Sequence, residues 1–231
     1  VIGEEQISLS ASAFVSDAIF FMKRNNIRRI VVRDGDKIYG VFSVDEALHH
    51  ILDNTTDVRL VDAKKKKPIM EESLDLKKIV KRMVEENSDF VLVGNKIITE
   101  KSVVSMFDWK HVKERVSDIS NEGITLPPYT KLFTAIEIMI KRGIRHLIIA
   151  DKKPIGILSS RDIVFSYGQV SLSTEISNFI QPSLVSVPCY LEVREAVNLM
   201  LSRNVGTIIT TNSSVKLFTL RDLIKVISKY L

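Results

Sequence analysis

A chain of 231 residues that is 45% hydrophobic and 26% charged can bury a sizeable core, and this composition excludes an intrinsically disordered chain. No apolar run reaches the roughly 20 residues that span a bilayer, and the opening VIGEEQISLS has neither the basic flank nor the apolar stretch of a secretion signal. A soluble, cytoplasmic protein is therefore expected. A single cysteine, Cys189, excludes an intrachain disulfide framework and is read as a packing residue. The net charge of +5 is unevenly placed: residues 1–114 carry 19 basic and 19 acidic side chains, residues 115–231 carry 14 and 9.

In chain order, four segments align without a gap: DAIFFMKRNNIRRIVV from Asp17, KIVKRMVEENSDFVLV from Lys78, TAIEIMIKRGIRHLII from Thr134 and EAVNLMLSRNVGTIIT from Glu195. Met22, Met83, Met139 and Met200 coincide, 61, 56 and 61 residues apart, so the chain is a pair duplicated at 117 residues. Apolar residues such as Ala135, Ile136, Met139 and Ile140 recur at helical spacing and predict an amphipathic helix. Four residues after each methionine stands Asn26, Asn87, Gly143 or Asn204, the residue types that accept the left-handed conformation ending a helix. The β-rich runs IRRIVV, SDFVLV, IRHLII and VGTIIT follow, then a short turn, a second strand, a hydroxyl residue and a second helix. Each copy reads strand, helix, strand, strand, helix, an α/β (α+β) fold in tandem repeats.

The junction of last strand and last helix carries a recurring spacing: Ser43-x-x-Glu46, Thr99-x-x-Ser102, Ser159-x-x-Asp162 and Thr219-x-x-Asp222. A helix cap accounts for the hydroxyl, which accepts a backbone N–H of the first turn, and for an acidic partner three residues on. It does not account for aspartate over glutamate. The two aspartates could instead belong to two copies of a ligand clamp.

The stretch ITLPPYTKLFTAIEIMIKRGIRHLIIADKKPIGILSSRDIV, residues 124–164, resembles the CBS domain, named after cystathionine β-synthase, in its strand, proline, Ala-x-x-x-Met helix and closing Gly-x-x-Ser-x-x-Asp. The resemblance extends over nearly the whole chain. Repeat four departs by placing Lys216 at the usual glycine, repeat one keeps Gly40 but has Glu46, and repeat two is degenerate. The layout is similar to that of the regulatory γ subunits of AMP-activated protein kinase, and it implies two Bateman-type modules. One is expected at 1–114, with repeats at about 7–55 and 59–108; the other at 115–231, with repeats at about 115–168 and 175–231.

The family resemblance implies a non-catalytic sensor of AMP, ADP or ATP that requires no cofactor, has no membrane partner and regulates another protein or its own assembly, dimers included. Asp162 and Asp222 would receive the ribose hydroxyls, with Ser159, Arg161, Thr219 and Arg221 beside them. Adenine would lie near Ile124 and Ile144, or near Val185 and Val205. Arg145 and His146, with Arg28 and Arg29 of repeat one, would reach phosphate, since arginine's fork is planar and always charged. The ligand is expected mainly in the C-terminal pair of repeats. S-adenosylmethionine shares the adenosine part and stays open as a ligand. A nucleic-acid partner stays open too, on the basic C-terminal half and the run Lys64-Lys65-Lys66-Lys67, which also reads as a solvated loop. Neither a nucleophile–base pair nor a metal-ligand spacing is visible, so no catalytic activity is expected.

Overall fold

The computed structural model describes residues 3–179, 184–212 and 214–231. Repeat one, with the strand that precedes it, holds β1 (Glu4–Glu5), β2 (Ser8–Leu9), α1 (Val15–Asn25), β3 (Arg29–Asp34), β4 (Lys37–Ser43) and α2 (Val44–Leu52). Repeat two holds β5 (Met70–Glu71), α3 (Leu76–Glu85), β6 (Phe90–Val93), β7 (Lys96–Thr99) and α4 (Glu100–Met106). Repeat three, with its lead-in, holds α5 (Val116–Ile119), β8 (Asn121–Glu122), β9 (Thr125–Leu126), α6 (Leu132–Arg142), β10 (His146–Asp151), β11 (Lys153–Ser159) and α7 (Ser160–Phe165). Repeat four holds α8 (Val193–Arg203), β12 (Thr207–Thr210), β13 (Lys216–Thr219) and α9 (Leu220–Tyr230). Its opening strand is reduced to one parallel bridge, Ser186 to Ile209. No helix among the described residues is long and apolar enough to cross a membrane.

The local chemistry follows the repeat. Val15, Ala18, Ile19 and Met22 form the buried stripe of α1, as Leu132, Ala135, Ile136 and Met139 do in α6. Asn26, Asn87, Gly143 and Asn204 all have positive φ, so each first helix ends by a left-handed turn into its strand. The first strand runs parallel to the second, and the second pairs antiparallel with the third: β2-β3-β4, β5-β6-β7 and β9-β10-β11.

The chain folds into two compact units, each discontinuous in sequence. The odd unit takes residues 6–68 and 124–182, hence repeats one and three; the even unit takes 1–5, 69–123 and 183–231, hence repeats two and four. The duplication predicts a cut at residue 114, whereas these units each draw one repeat from either half. Helix packing is the physical reason. In the odd unit α2 lies against α7 and α6, and α1 against α7; in the even unit α9 lies against α4 and α3. Residues of both repeats, Met22, Phe42 and Leu60 with Leu132, Ile136 and Leu158, share one core in the odd unit. Two lead-in strands join the even unit: β1 pairs with β7, and β8 pairs with β13.

Gly40 shows how closely one loop is held. Its φ is 152°, and a Cβ there would stand 2.7 Å from the Lys66 carbonyl oxygen. Val41 and Lys66 exchange two backbone hydrogen bonds of 2.9 and 2.8 Å, which fasten residues 64–67 to the edge of β4.

Candidate functional site

The hairpins of the odd unit bring strand-opening basic residues to the start of the following helix. Arg29 stands opposite Ser43 and His146 opposite Ser159 in the antiparallel register. The Val44 N–H donates to the Arg28 carbonyl and the Ser160 N–H to the Arg145 carbonyl. With α2 packed on α7, residues of both repeats enter one electrostatic cluster: Arg28, Arg29, Asp45, Arg145, His146, Arg161 and Asp162.

The Arg145 guanidinium is a fork on Asp45, Nε to Oδ1 at 3.0 Å and Nη2 to Oδ2 at 2.8 Å, and Lys66 Nζ also donates to Asp45 Oδ2. Burial alone would raise the Asp45 carboxyl, but the charge and hydrogen bonds of Arg145, then those of Lys66, hold it well below the ordinary carboxylate range. Arg28 is half-buried, and its side chain makes no hydrogen bond or ion pair among the described residues. Burial first, then the charges of Arg161, Arg29 and Arg145, pull it down to about 10, opposed by Asp162. His146 is pulled down to about 3 by burial and by Arg28, Arg145 and Arg161, so it is a neutral imidazole at pH 7 and adds no charge to the site.

The four helix-start residues behave differently. Glu46 Oε1 accepts from the Ser43 N–H at 2.8 Å and from Ser43 Oγ at 2.6 Å. Ser102 Oγ accepts from the Thr99 N–H at 3.3 Å. Asp222 Oδ2 accepts from the Thr219 N–H at 2.9 Å, while its Oδ1 accepts from Asn121 Nδ2 at 3.2 Å. These three close the reciprocal box of a helix cap. In repeat three Ser159 Oγ accepts from the Asp162 N–H at 3.1 Å, yet among the described residues the Asp162 carboxylate takes no hydrogen bond in return; Arg161 Nη2 lies 3.8 Å from its Oδ1. Asp162 instead lines an open pocket of about 370 Å³ with Phe165, Ser166, Gln169, Val170, Asn178 and Phe179. That size falls in the range of small-molecule sites, roughly 300–1,000 Å³.

The other expected residues are distributed as follows. Ile124 and Ile144 are half-buried against the core of the odd unit and do not line this pocket. In the even unit Val185 is buried, Val205 half-buried, and Arg221 Nε lies 3.8 Å from the buried Glu100 carboxylate. Within the lysine run Lys65 and Lys66 act as a tether, while Lys64 and Lys67 are exposed. Lys65 Nζ donates to the carbonyls of Leu60, Val61 and Ala63 at 2.7 to 3.0 Å, and Lys66 Nζ donates to Ser43 Oγ as well as to Asp45. Sequence reasoning missed Asp45 and Asn121. The signal for Asp45 was available, since its equivalent in repeat three is Arg161, a reversal of charge at one position of the repeat. No cluster of potential metal ligands occurs among the described residues.

Comparison with known proteins bears on the fold. The CBS domain model matches residues 4–53 and 116–168. Protein MJ1225 of Methanocaldococcus jannaschii, described as a candidate archaeal homolog of γ-AMPK, has the same fold: TM-score 0.85 at 14% identity, over 97% of this chain and 96% of that one. An uncharacterised conserved protein of Pyrococcus horikoshii gives 0.64 at 17% identity, over 97% and 96%. The CBS domain protein PAE2072 of Pyrobaculum aerophilum, whose structure is a complex with AMP, gives 0.44 at 17% identity over 51% of this chain and 100% of that one. No curated protein matches. The CBS domain model thus matches two segments, one in repeat one and one in repeat three, and the fold along the length of the chain is shared with protein MJ1225.

Proposed function

We propose that the chain is a non-catalytic sensor of adenine nucleotides, with its principal site in the odd unit around Asp162. The carrying observation is that Asp162 lines a pocket and its carboxylate accepts no hydrogen bond among the described residues, while its three counterparts are turned back onto their own backbones. A carboxylate that accepts no hydrogen bond among the described residues suits a ribose diol, and the nearby Arg28 and Arg161 suit phosphate. Arg28 supports the second half of this reading, because a half-buried guanidinium without a hydrogen bond or ion pair among the described residues, crowded by like charges, is relieved by an anion. The even unit supplies a weaker site, since Asp222 is already engaged on both oxygens.

Isothermal titration of the intact protein with AMP, ADP, ATP, adenosine and S-adenosylmethionine tests the assignment. The expected order places the phosphorylated ligands at least about tenfold tighter than adenosine, the scale of one charge-assisted contact. Adenosine or S-adenosylmethionine binding as tightly as AMP would remove phosphate from the account, and failure of all five to bind would overturn it.

A further inference from the structure

Repeats one and three are related by an internal pseudo-symmetry, and their registers fix the equivalences: Arg29 opposite Ser43 answers to His146 opposite Ser159. Arg28 is therefore the counterpart of Arg145, and Asp45 the counterpart of Arg161. The helices that carry Asp45 and Arg161, α2 and α7, pack on each other, so each repeat's strand-opening arginine addresses the other repeat's helix. On one side this gives Arg145 on Asp45, a closed fork with Lys66 as a second donor. On the other side the same rule sets Arg28 toward Arg161, arginine against arginine.

We propose that the odd unit contains two pseudo-equivalent anion seats, that Asp45 is a built-in anion filling the Arg145 seat, and that Arg28 and Arg161 form the other, open seat, which takes the phosphate of the ligand. Two observations support the open seat independently. Among the charges acting on Arg28, that of Arg161 is the strongest. Among the described residues Arg161 has only its neighbour Asp162 within ion-pair range, at 3.8 Å, and Arg28 has no such partner. The asymmetry also assigns roles. Arg145 is a structural residue held by Asp45, and the odd unit takes one phosphorylated ligand instead of two. An anion between Arg28 and Arg161 replaces like-charge repulsion by two charge-assisted contacts, as Asp45 does for Arg145 and Lys66.

This inference deepens the nucleotide reading by naming the arginines that hold phosphate, but inorganic tripolyphosphate, which has no ribose or base, tests it separately. Titrated into the intact protein at low salt, tripolyphosphate and AMP should each bind about ten- to a hundredfold more weakly to Arg28→Gln and to Arg161→Gln than to the wild type. Arg145→Gln should stay within about threefold, a shift too small for the loss of a direct charged contact. Asp45→Asn should open the second seat and raise the tripolyphosphate stoichiometry by one per chain. Because Arg145→Gln leaves the half-buried Asp45 carboxylate with Lys66 as its remaining charged partner and can destabilise the unit, the double variant Asp45→Asn/Arg145→Gln serves as the second arm, expected to keep wild-type affinity and stoichiometry. Arg145→Gln, or that double variant, losing as much affinity as Arg28→Gln would overturn the assignment of seats, as would unchanged stoichiometry in a folded Asp45→Asn. Tripolyphosphate binding lost in Arg28→Gln while AMP never binds would leave the seat standing and remove the nucleotide. AMP binding unaffected by Arg28→Gln and Arg161→Gln would do the reverse.

Discussion

His146 shows what one residue's surroundings do to its chemistry. Its folded value is about 3 against an ordinary 6.5, through burial and three nearby arginines. Above pH 6.5 the imidazole is neutral in both folded and unfolded chains and contributes no pH dependence. As pH falls from 6.5 toward 3, the unfolded chain takes up a proton that the folded one refuses, so stability is lost across that window. Thermal melts at pH 7 and pH 5 should show a smaller acid-induced drop for His146→Gln than for the wild type; equal drops would mean that His146 is not held neutral. Asp222 is a residue of the opposite kind, a cap with both oxygens engaged. Asp222→Ala should cost about 1 kcal/mol of stability, read as a lower melting temperature, with little change in AMP affinity.

At the scale of elements, what the sequence made legible was what repeats locally. Periodic methionines and alanines, and the Asn or Gly four residues after each methionine, locate the first helices and their left-handed ends because those signals depend on residues three or four positions apart. The anchoring of Lys65 and Lys66 was not legible for the complementary reason. The charge of the lysine run is visible in sequence, but the three carbonyls around Lys65 Nζ and the carboxylate beneath Lys66 exist only once the loop is pinned to β4. Gly40 is the hinge of that attachment: Gly40→Ala would drive a Cβ to 2.7 Å from the Lys66 oxygen at a φ of 152°. Such strain costs about 1–3 kcal/mol, and the variant should melt lower and release residues 64–67 to amide exchange. The Arg145–Asp45 fork was illegible because its partners belong to different repeats, and nothing in either local pattern names the other.

For the whole molecule, the duplication at 117 residues and the compact units describe different things. Duplication records which repeats are related in sequence; the units record which helices bury one another, repeat one with three and repeat two with four. Fragments 1–114 and 115–231 each lack half of both units. Expressed separately and mixed in equal amounts, they should associate one to one and melt higher than either alone, because the apolar faces of α2 and α7, and of α4 and α9, are covered only together. Independent folding of each fragment, with no association on mixing, would contradict the unit assignment. The nucleotide reading is a claim about the odd unit, and its most direct measurement is calorimetric titration of AMP into intact wild-type protein and Asp162→Asn, with melting temperatures taken in parallel. The account predicts that Asp162→Asn melts like the wild type but binds AMP about ten- to a hundredfold more weakly, the worth of a hydrogen-bonded charge; a lowered melting temperature with unchanged affinity would make Asp162 a cap like its three counterparts and contradict it.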